Sequence, residues 1–260
     1  MKFGIDISRW QGDFNFSRAI KEDKIEFVII KGGGGDDGLY VDSKFARNYK
    51  EAKKHGLPVG VYWFSKAVSV ADAKKEAEYF INNCLKGKQF ELPIYFDVET
   101  TDQARLGKKE LTDIALAWLE TVQSAGYWVG IYSYISYITD YLDDSRLQGY
   151  AHWVAQWAKE CKYVGKPGVF GMWQFGGETN VIRSNKIAGQ VVDQNYMLVD
   201  YPTLIKKANL NGFSKYSTAE IEAAKKTIKT KAGLADKTID YLMEYQYAND
   251  LIIKLANAMK

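Results

Sequence analysis

The chain has 260 residues, 47% of them hydrophobic and 26% charged, enough for one large α/β domain, or a domain of about 200 residues with a small appendage. A net charge of +3 is too mild for a nucleic-acid footprint, and no stretch is long and apolar enough to span a bilayer, so neither nucleic acid nor membrane insertion is expected. Two cysteines, Cys84 and Cys161, offer neither a disulfide framework nor a metal-ligand spacing. Cys84 sits beside Ile81 and Leu85 on an amphipathic stretch and reads as a buried free thiol. The opening "MKFGIDISRW" lacks the apolar core of a secretory signal. The chain is therefore expected to be made in the cytoplasm, and any action outside the cell to depend on release by something else.

Short β-rich runs alternate with helical patterns as far as residue 207. The spacing predicts strands at 2–8, 26–32, 58–65, 92–99, 127–133, 151–157, 168–175 and 189–195. Between them, residues 69–87 place Ala73, Ala77, Phe80, Ile81 and Leu85 on one helical face, and residues 108–126 do the same with Leu111, Ile114, Ala115, Trp118, Leu119 and Val122. Gly87 and Gly126 follow as helix stops. Strands alternating with helices imply parallel pairing, and eight of them imply a closed barrel. The last three are joined without obvious helices, so the fold class expected is an irregular TIM-like barrel of five βα units followed by three β-strands, (β/α)5(β)3.

From residue 217 the pattern changes. Residues 217–260 hold no strand signal, no proline and one glycine. A Ser/Thr-capped helix ends near Gly233, and Ile239, Leu242, Met243, Leu251, Ile252, Leu255 and Met259 recur at helical spacing. The domains expected are thus a barrel at 1–207, a turn-rich linker at 208–216 and a small all-α domain at 217–260.

Function in such a barrel sits at the C-terminal ends of the strands, and acids gather there. Asp6 closes the first strand, Asp97 and Glu99 the fourth, and Asp193 the last. In an extended chain residues two apart face the same way, so "IYFDVET" drives Asp97 and Glu99 toward one place. Two chemistries suit the set. One is glycoside hydrolysis, with one acid kept protonated by its crowded neighbours and another ionised. The other is a hard cation such as Mg²⁺ held by oxygens. Trp10, Tyr62, Trp63, Tyr132, Trp157 and Trp173 at or near strand ends favour sugar, whose flat faces stack on aromatic rings, although core packing competes for each of them. "KGGGGDDG" at 31–38 lacks the Gly-Lys-Ser/Thr of a phosphate loop and reads as a flexible rim loop. His55 and His152 are too far apart in sequence to suggest a triad or zinc site.

The stretches "GIDISRWQG" (4–12), "KGGGGDDGLYVDSKFARNYKEAKKHGLPVGVYWF" (31–64), "YFDVE" (95–99), "GIYSY" (130–134), "HWVAQW" (152–157), "MWQF" (172–175) and "VVDQN" (191–195) resemble, in order and spacing, the glycoside hydrolase family 25 lysozymes, the Chalaropsis-type N-acetylmuramidases of bacteria and their phages. The resemblance implies a (β/α)5(β)3 barrel, no cofactor, and hydrolysis of the β-1,4 bond between N-acetylmuramic acid and N-acetylglucosamine (EC 3.2.1.17). It implies Glu99 as general acid and Asp97 as the carboxylate assisting the 2-acetamido group or the oxocarbenium-like state, with Asp6 and Asp193 completing the pocket. Tyr62, Tyr132 and Gln174 fall where the family contacts substrate. Two departures bear on the glycan groove: four glycines follow Lys31 where the family has Thr/Ser-Glu-Gly, and Trp63 stands where a histidine is common.

By this likeness the chain reads as a phage-type endolysin acting on bacterial peptidoglycan, released to the wall by a separate membrane-permeabilising protein of the holin kind. Its C-terminal helices would bind the cell wall, assemble a homo-oligomer, or cap the barrel. A barrel that binds peptidoglycan without cutting it, or a metal-dependent hydrolase using the same acids, are the competing functions.

Overall fold

The structure, a computed structural model, describes residues 1–36, 38–243, 245 and 248–259. Eight strands form the barrel: β1 (Lys2–Ile7), β2 (Phe27–Gly34), β3 (Val59–Phe64), β4 (Ile94–Asp97), β5 (Val129–Tyr134), β6 (Ala151–Ala155), β7 (Phe170–Gly176) and β8 (Asp193–Met197). Strands β1 to β7 pair in parallel, each with the next, while β8 runs antiparallel between β7 and β1 and closes the ring. Helical crossovers follow β1 to β5, among them α1 (Phe45–Lys54), α2 (Val70–Phe80), α3 (Lys108–Ser124) and α4 (Ile135–Tyr141), counting helices of seven residues or more. Loops follow β6 and β7. The irregular barrel expected from the pattern is the barrel found.

The last strand differs in place and direction. It starts at Asp193, and the segment before it forms a small hairpin of Lys186–Ile187 with Gln190–Val191. Asp193 therefore opens β8 rather than ending it. Because β8 is reversed, its first residue still lies at the rim where β1 ends, paired in register with Asp6.

Alternation along each strand separates two cores. Ile94 and Phe96 on β4, and Val98 just after it, join the layer between barrel and helices, where Trp118 of α3 lies 5.0 Å from Phe96 and 5.9 Å from Phe80 of α2, ring centroid to centroid. Tyr95 points inward, among Phe27, Ile29, Leu92, Tyr132, Trp153 and Met172. Asp97 and Glu99, in step with Tyr95, face the barrel interior.

The barrel floor is plugged by α5 (Tyr201–Ala208), capped by the Asp200 side chain, whose Tyr201 and Ile205 are buried in that inner core. The plug fits only because β7 carries Gly171: a Cβ there would lie 1.9 Å from the Tyr201 hydroxyl. The segment expected as a linker then divides in two. Asn211, fully buried at positive φ, accepts from the Trp128 backbone N–H (2.6 Å) and donates to the Leu92 carbonyl (2.8 Å), so the chain is still fastened to the barrel there. The connection to the tail is what remains, residues 214–216.

Residues 31–38 also depart from a flexible loop. Strand β2 continues to Gly34, and Gly33 and Gly34 pair with Val41 and Tyr40 in a hairpin. A Cβ on Gly33 would meet the Tyr40 carbonyl oxygen at 2.0 Å, so this part of the run is dictated by close backbone approach. Asp37 lies outside the described residues.

Beyond the barrel, α6 (Thr218–Ala232), α7 (Asp236–Met243) and α8 (Ala248–Ala258) share a small apolar cluster of their own around Ala224, Ile228, Ile252 and Ala256. A capping box of Ser217 and Glu220 starts α6, and Gly233, at φ 67°, ends it. Glu244, Gln246 and Tyr247 of the predicted helical run, and Lys260, lie outside the described residues. Among the described residues, no helix is long and apolar enough to cross a membrane.

Candidate active site

At the C-terminal rim of the strands, Asp6, Asp97, Glu99 and Asp193 converge on one cavity of ≈ 180 Å³, lined also by Tyr62, Tyr132, Tyr134, Trp153, Trp157 and Gln174. Seven of the strands contribute, so the site is an outcome of closing the ring.

The backbone that carries the acid pair is fastened from several sides. The Asp97 carbonyl accepts from Ser65 N (2.9 Å), and Val98 N donates to Tyr132 O (3.2 Å). Immediately after Glu99, Thr100 starts a short helix through a capping box with Gln103, and Tyr137 donates to the Thr100 carbonyl at 3.1 Å. A carboxylate on such a segment is held by the scaffold rather than by a mobile loop.

Asp6 sits in a hydrogen-bond network whose directions can be assigned. Trp157 Nε1 can only donate, and it lies 3.1 Å from Gln174 Oε1, which the Tyr132 hydroxyl also approaches at 3.0 Å. Gln174 Nε2 is thereby free to donate to Asp6 Oδ2 at 3.0 Å. The same oxygen accepts from Asn195 Nδ2 at 2.8 Å, and Asn195 Oδ1 accepts from Trp153 Nε1 at 2.7 Å. Two amide donors on one oxygen favour the anion.

Burial dominates the electrostatics of all four acids. It pushes Asp6 up to about 6 against the pull of its Asn195 and Gln174 hydrogen bonds. It pushes Asp193 up to about 8, with the charges of Asp6, Glu99 and Glu178 adding to the effect. Asp97 is held well above the usual carboxylate range by burial first, then by Glu99 and Asp6, while Lys31 opposes. Glu99 is raised by burial, against the Lys31 charge and a hydrogen bond from Tyr134. Crowding, the cause expected from sequence, is real but second to desolvation. Asp97 Oδ1 and Glu99 Oε2 are buried with no partner in the protein.

Of the aromatic and amide positions singled out from sequence, Tyr62, Tyr132, Trp157 and Gln174 line the cavity. Trp63 does not. It alternates outward from Tyr62, is fully buried beneath α2 against Phe80 (5.2 Å), and donates from Nε1 to Glu76 Oε2 at 2.8 Å. A side chain with no exposed surface cannot stack on a sugar, so its substrate role is withdrawn. Trp10 lies outside the cavity lining, 79% exposed on the turn after β1. Trp173 is buried on the outer face, bonded to the Gln156 carbonyl. Sequence reasoning passed over Tyr134, Trp153, Asn195 and Lys31. Tyr134 was legible, two residues beyond Tyr132 and hence on the same face; Asn195 stands in the same relation to Asp193. Nothing local marks Lys31, whose charge reaches the acids only through the fold.

His152 plays a structural part: it is fully buried, its Nε2 lies 2.8 Å from Asp144 Oδ1, and its ring stacks on Tyr163. Among the described residues, no three His, Cys, Asp or Glu side chains are arranged to hold a metal ion.

Known proteins resemble the chain in sequence and in fold. Residues 5–183 match the model of the glycosyl hydrolases family 25. An autolytic lysozyme of Clostridium acetobutylicum is 31% identical over 172 residues, covering 64% of this chain and 47% of that protein. The structure of the modular autolysin LytC from Streptococcus pneumoniae in complex with a synthetic peptidoglycan ligand superimposes with a TM-score of 0.63 at 26% identity, over 75% of this chain and 46% of that one. The bacterial lysozyme of Streptomyces coelicolor shares the fold at 24% identity and a TM-score of 0.64, over 80% of this chain and 97% of its own. The chain spans about half the length of the curated relatives it matches, 61% and 47% of the first two. With the family model spanning well over half of its residues, the chain belongs to the glycosyl hydrolases family 25.

Proposed function

We propose that the chain is a peptidoglycan hydrolase, a lysozyme that cleaves the β-1,4 bond between N-acetylmuramic acid and N-acetylglucosamine, with Glu99 as general acid and Asp97 assisting. The observation that carries this is the acid pair itself. The end of one strand delivers two carboxyls, each with one buried and unpartnered oxygen, to an aromatic-lined cavity. The names of the relatives, an autolytic lysozyme and an autolysin with a peptidoglycan ligand, supply the substrate class.

The chemistry follows from the environments. Burial raises Glu99 above the usual carboxylate range and so favours its protonated form, and the residue, only partly exposed, borders the cavity. That proton passes to the bridging oxygen as the bond from the anomeric carbon breaks. Positive charge then grows at the anomeric carbon. Asp6, held toward its anion by two amide donors, stabilises that charge, while Asp97 orients the 2-acetamido group of the substrate. Water completes the hydrolysis and a proton returns to Glu99. Tyr62, Tyr132 and Trp157 supply the walls against which the sugar ring lies.

Residues 1–213 form the catalytic unit in this reading, and 217–260 a wall-binding module with its own apolar cluster. The extent of the Streptomyces coelicolor lysozyme, matched almost end to end by 80% of this chain, supports the division.

Mass spectrometry of muropeptides released from purified walls tests the proposal, because it identifies the broken bond. Products with reducing-end N-acetylmuramic acid are expected, and release should survive EDTA. Products of any other bond, or no reducing ends at all, would overturn it.

A further inference from the structure

Peptidoglycan is more than its sugars: the glycan is neutral, and its carboxylates are carried by the peptide stems on muramic acid. The rim beside the acidic cavity holds a guanidinium that forms no ion pair among the described residues. Arg9 is exposed on the turn after β1, and its guanidinium packs over Trp10 (5.2 Å) and Tyr40 (5.4 Å). Its backbone N–H is fixed by Asp42 Oδ2 at 3.1 Å, and that carboxylate is 2% exposed. Among the described residues, it is the one arginine whose guanidinium donates to no protein acceptor. Arg18, Arg47, Arg105 and Arg146 are ion-paired, and Arg183 reaches the Asp23 carbonyl.

We propose that Arg9, backed by Trp10 and Tyr40, is a carboxylate-binding subsite for the peptide stem of the peptidoglycan strand, an inference that rests on the lysozyme reading. A guanidinium stacked on rings keeps its face covered and its N–H edge free, the geometry that takes a carboxylate through two parallel hydrogen bonds. Lys31 shares the Tyr40 ring with Arg9, in the field of Asp36, Asp42 and Asp97. Lys31 on β2 and Lys66 just after β3 lie over Phe64, at 4.5 and 5.4 Å, and neither enters an ion pair among the described residues. Asp193, the register partner of Asp6 on the neighbouring strand, and Glu178, whose charge acts on it, make the β8 side of the rim acidic. An anionic stem is drawn toward the Arg9 guanidinium, so the subsite favours one direction of the strand in the groove.

The test is binding to the Glu99→Gln protein, which separates recognition from turnover, of two probes: an N-acetylglucosamine–N-acetylmuramic acid tetrasaccharide whose lactyl carboxyls are capped as neutral amides, and the same glycan bearing tetrapeptide stems. Calorimetry at low salt should give the stem-bearing probe an advantage on the order of tenfold, shrinking as ionic strength rises. Adding Arg9→Ala should bring the ratio to about one, and Arg9→Lys should restore part of it. A ratio near one without the Arg9 change, a ratio untouched by Arg9→Ala, or displacement by a glycerol-phosphate polymer but not by free stem peptide would each overturn the proposal. Release of reducing ends by the unsubstituted chain reports on the lysozyme reading separately. A lasting stem preference without that release would leave the subsite in place on a non-catalytic barrel.

Discussion

Asp6 and Asp193 face each other as register partners across the antiparallel pair that closes the barrel. Joining the first strand to the last therefore also brings two carboxylates together. Both are held above their ordinary value of 3.8, to about 6 and about 8, by burial first. Each binds its proton more tightly in the folded chain than in the unfolded one. Their contribution to stability is thus fully present below about pH 4 and is lost as the pH climbs through 6 and then 8. Thermal unfolding followed by circular dichroism should show Tm falling across that window. Asp193→Asn should flatten the upper part of the fall and raise Tm near pH 8; an unchanged slope would remove Asp193 from the account.

Glu99→Gln deletes the transferable proton at almost constant volume. The release of reducing ends should drop by a factor on the order of 10²–10⁴, with an unchanged circular dichroism spectrum and retained wall binding. A variant within a few-fold of the parent rate would reassign the acid.

Lys31 is the one cation whose charge opposes the upward shift of both Asp97 and Glu99. Replacing it with methionine keeps the apolar stem against Phe64 and removes the charge. Without that charge both carboxyls hold their protons to higher pH, so both limbs of the kcat/KM profile should move to higher pH. A loss of rate with unmoved limbs would mean that Lys31 positions substrate instead.

How far the sequence could be read depended on whether a signal was local. The (β/α)5(β)3 order and the inward facing of Asp97 and Glu99 rest on periodicity, and periodicity is written residue by residue. The same rule was available at Tyr62 and Trp63: neighbours on a strand face opposite ways, so both could not line one cavity, and Trp63 is the one under α2. The direction of β8 was less accessible, since neither alternation nor propensity distinguishes a reversed strand. What misleads most is the turn-rich 208–216. Asn, Leu and Gly in that order signal a linker, yet Asn211 is turned inward by tertiary contacts to residues 119 and 83 positions away. No local pattern announces them.

That anchor separates two truncations that look alike in sequence. Removing residues 214–260 leaves Asn211 in place, so the barrel should remain folded, with the loss confined to whatever the tail binds. Ending the chain at Ala208 strips the buried Trp128 N–H and Leu92 carbonyl of their partner and unseals the floor beside Tyr201 and Ile205. Asn211→Ala isolates the hydrogen-bonding part of that loss. Two buried polar groups left unsatisfied cost about 2–5 kcal/mol together, and alanine is further strained at the positive φ of this residue. Urea titration of the three proteins should therefore place the 214–260 deletion near the parent midpoint, with Asn211→Ala well below it and the Ala208 truncation lower still. If Asn211→Ala unfolded at the parent midpoint, the segment would be a linker after all, and the catalytic unit would end with α5.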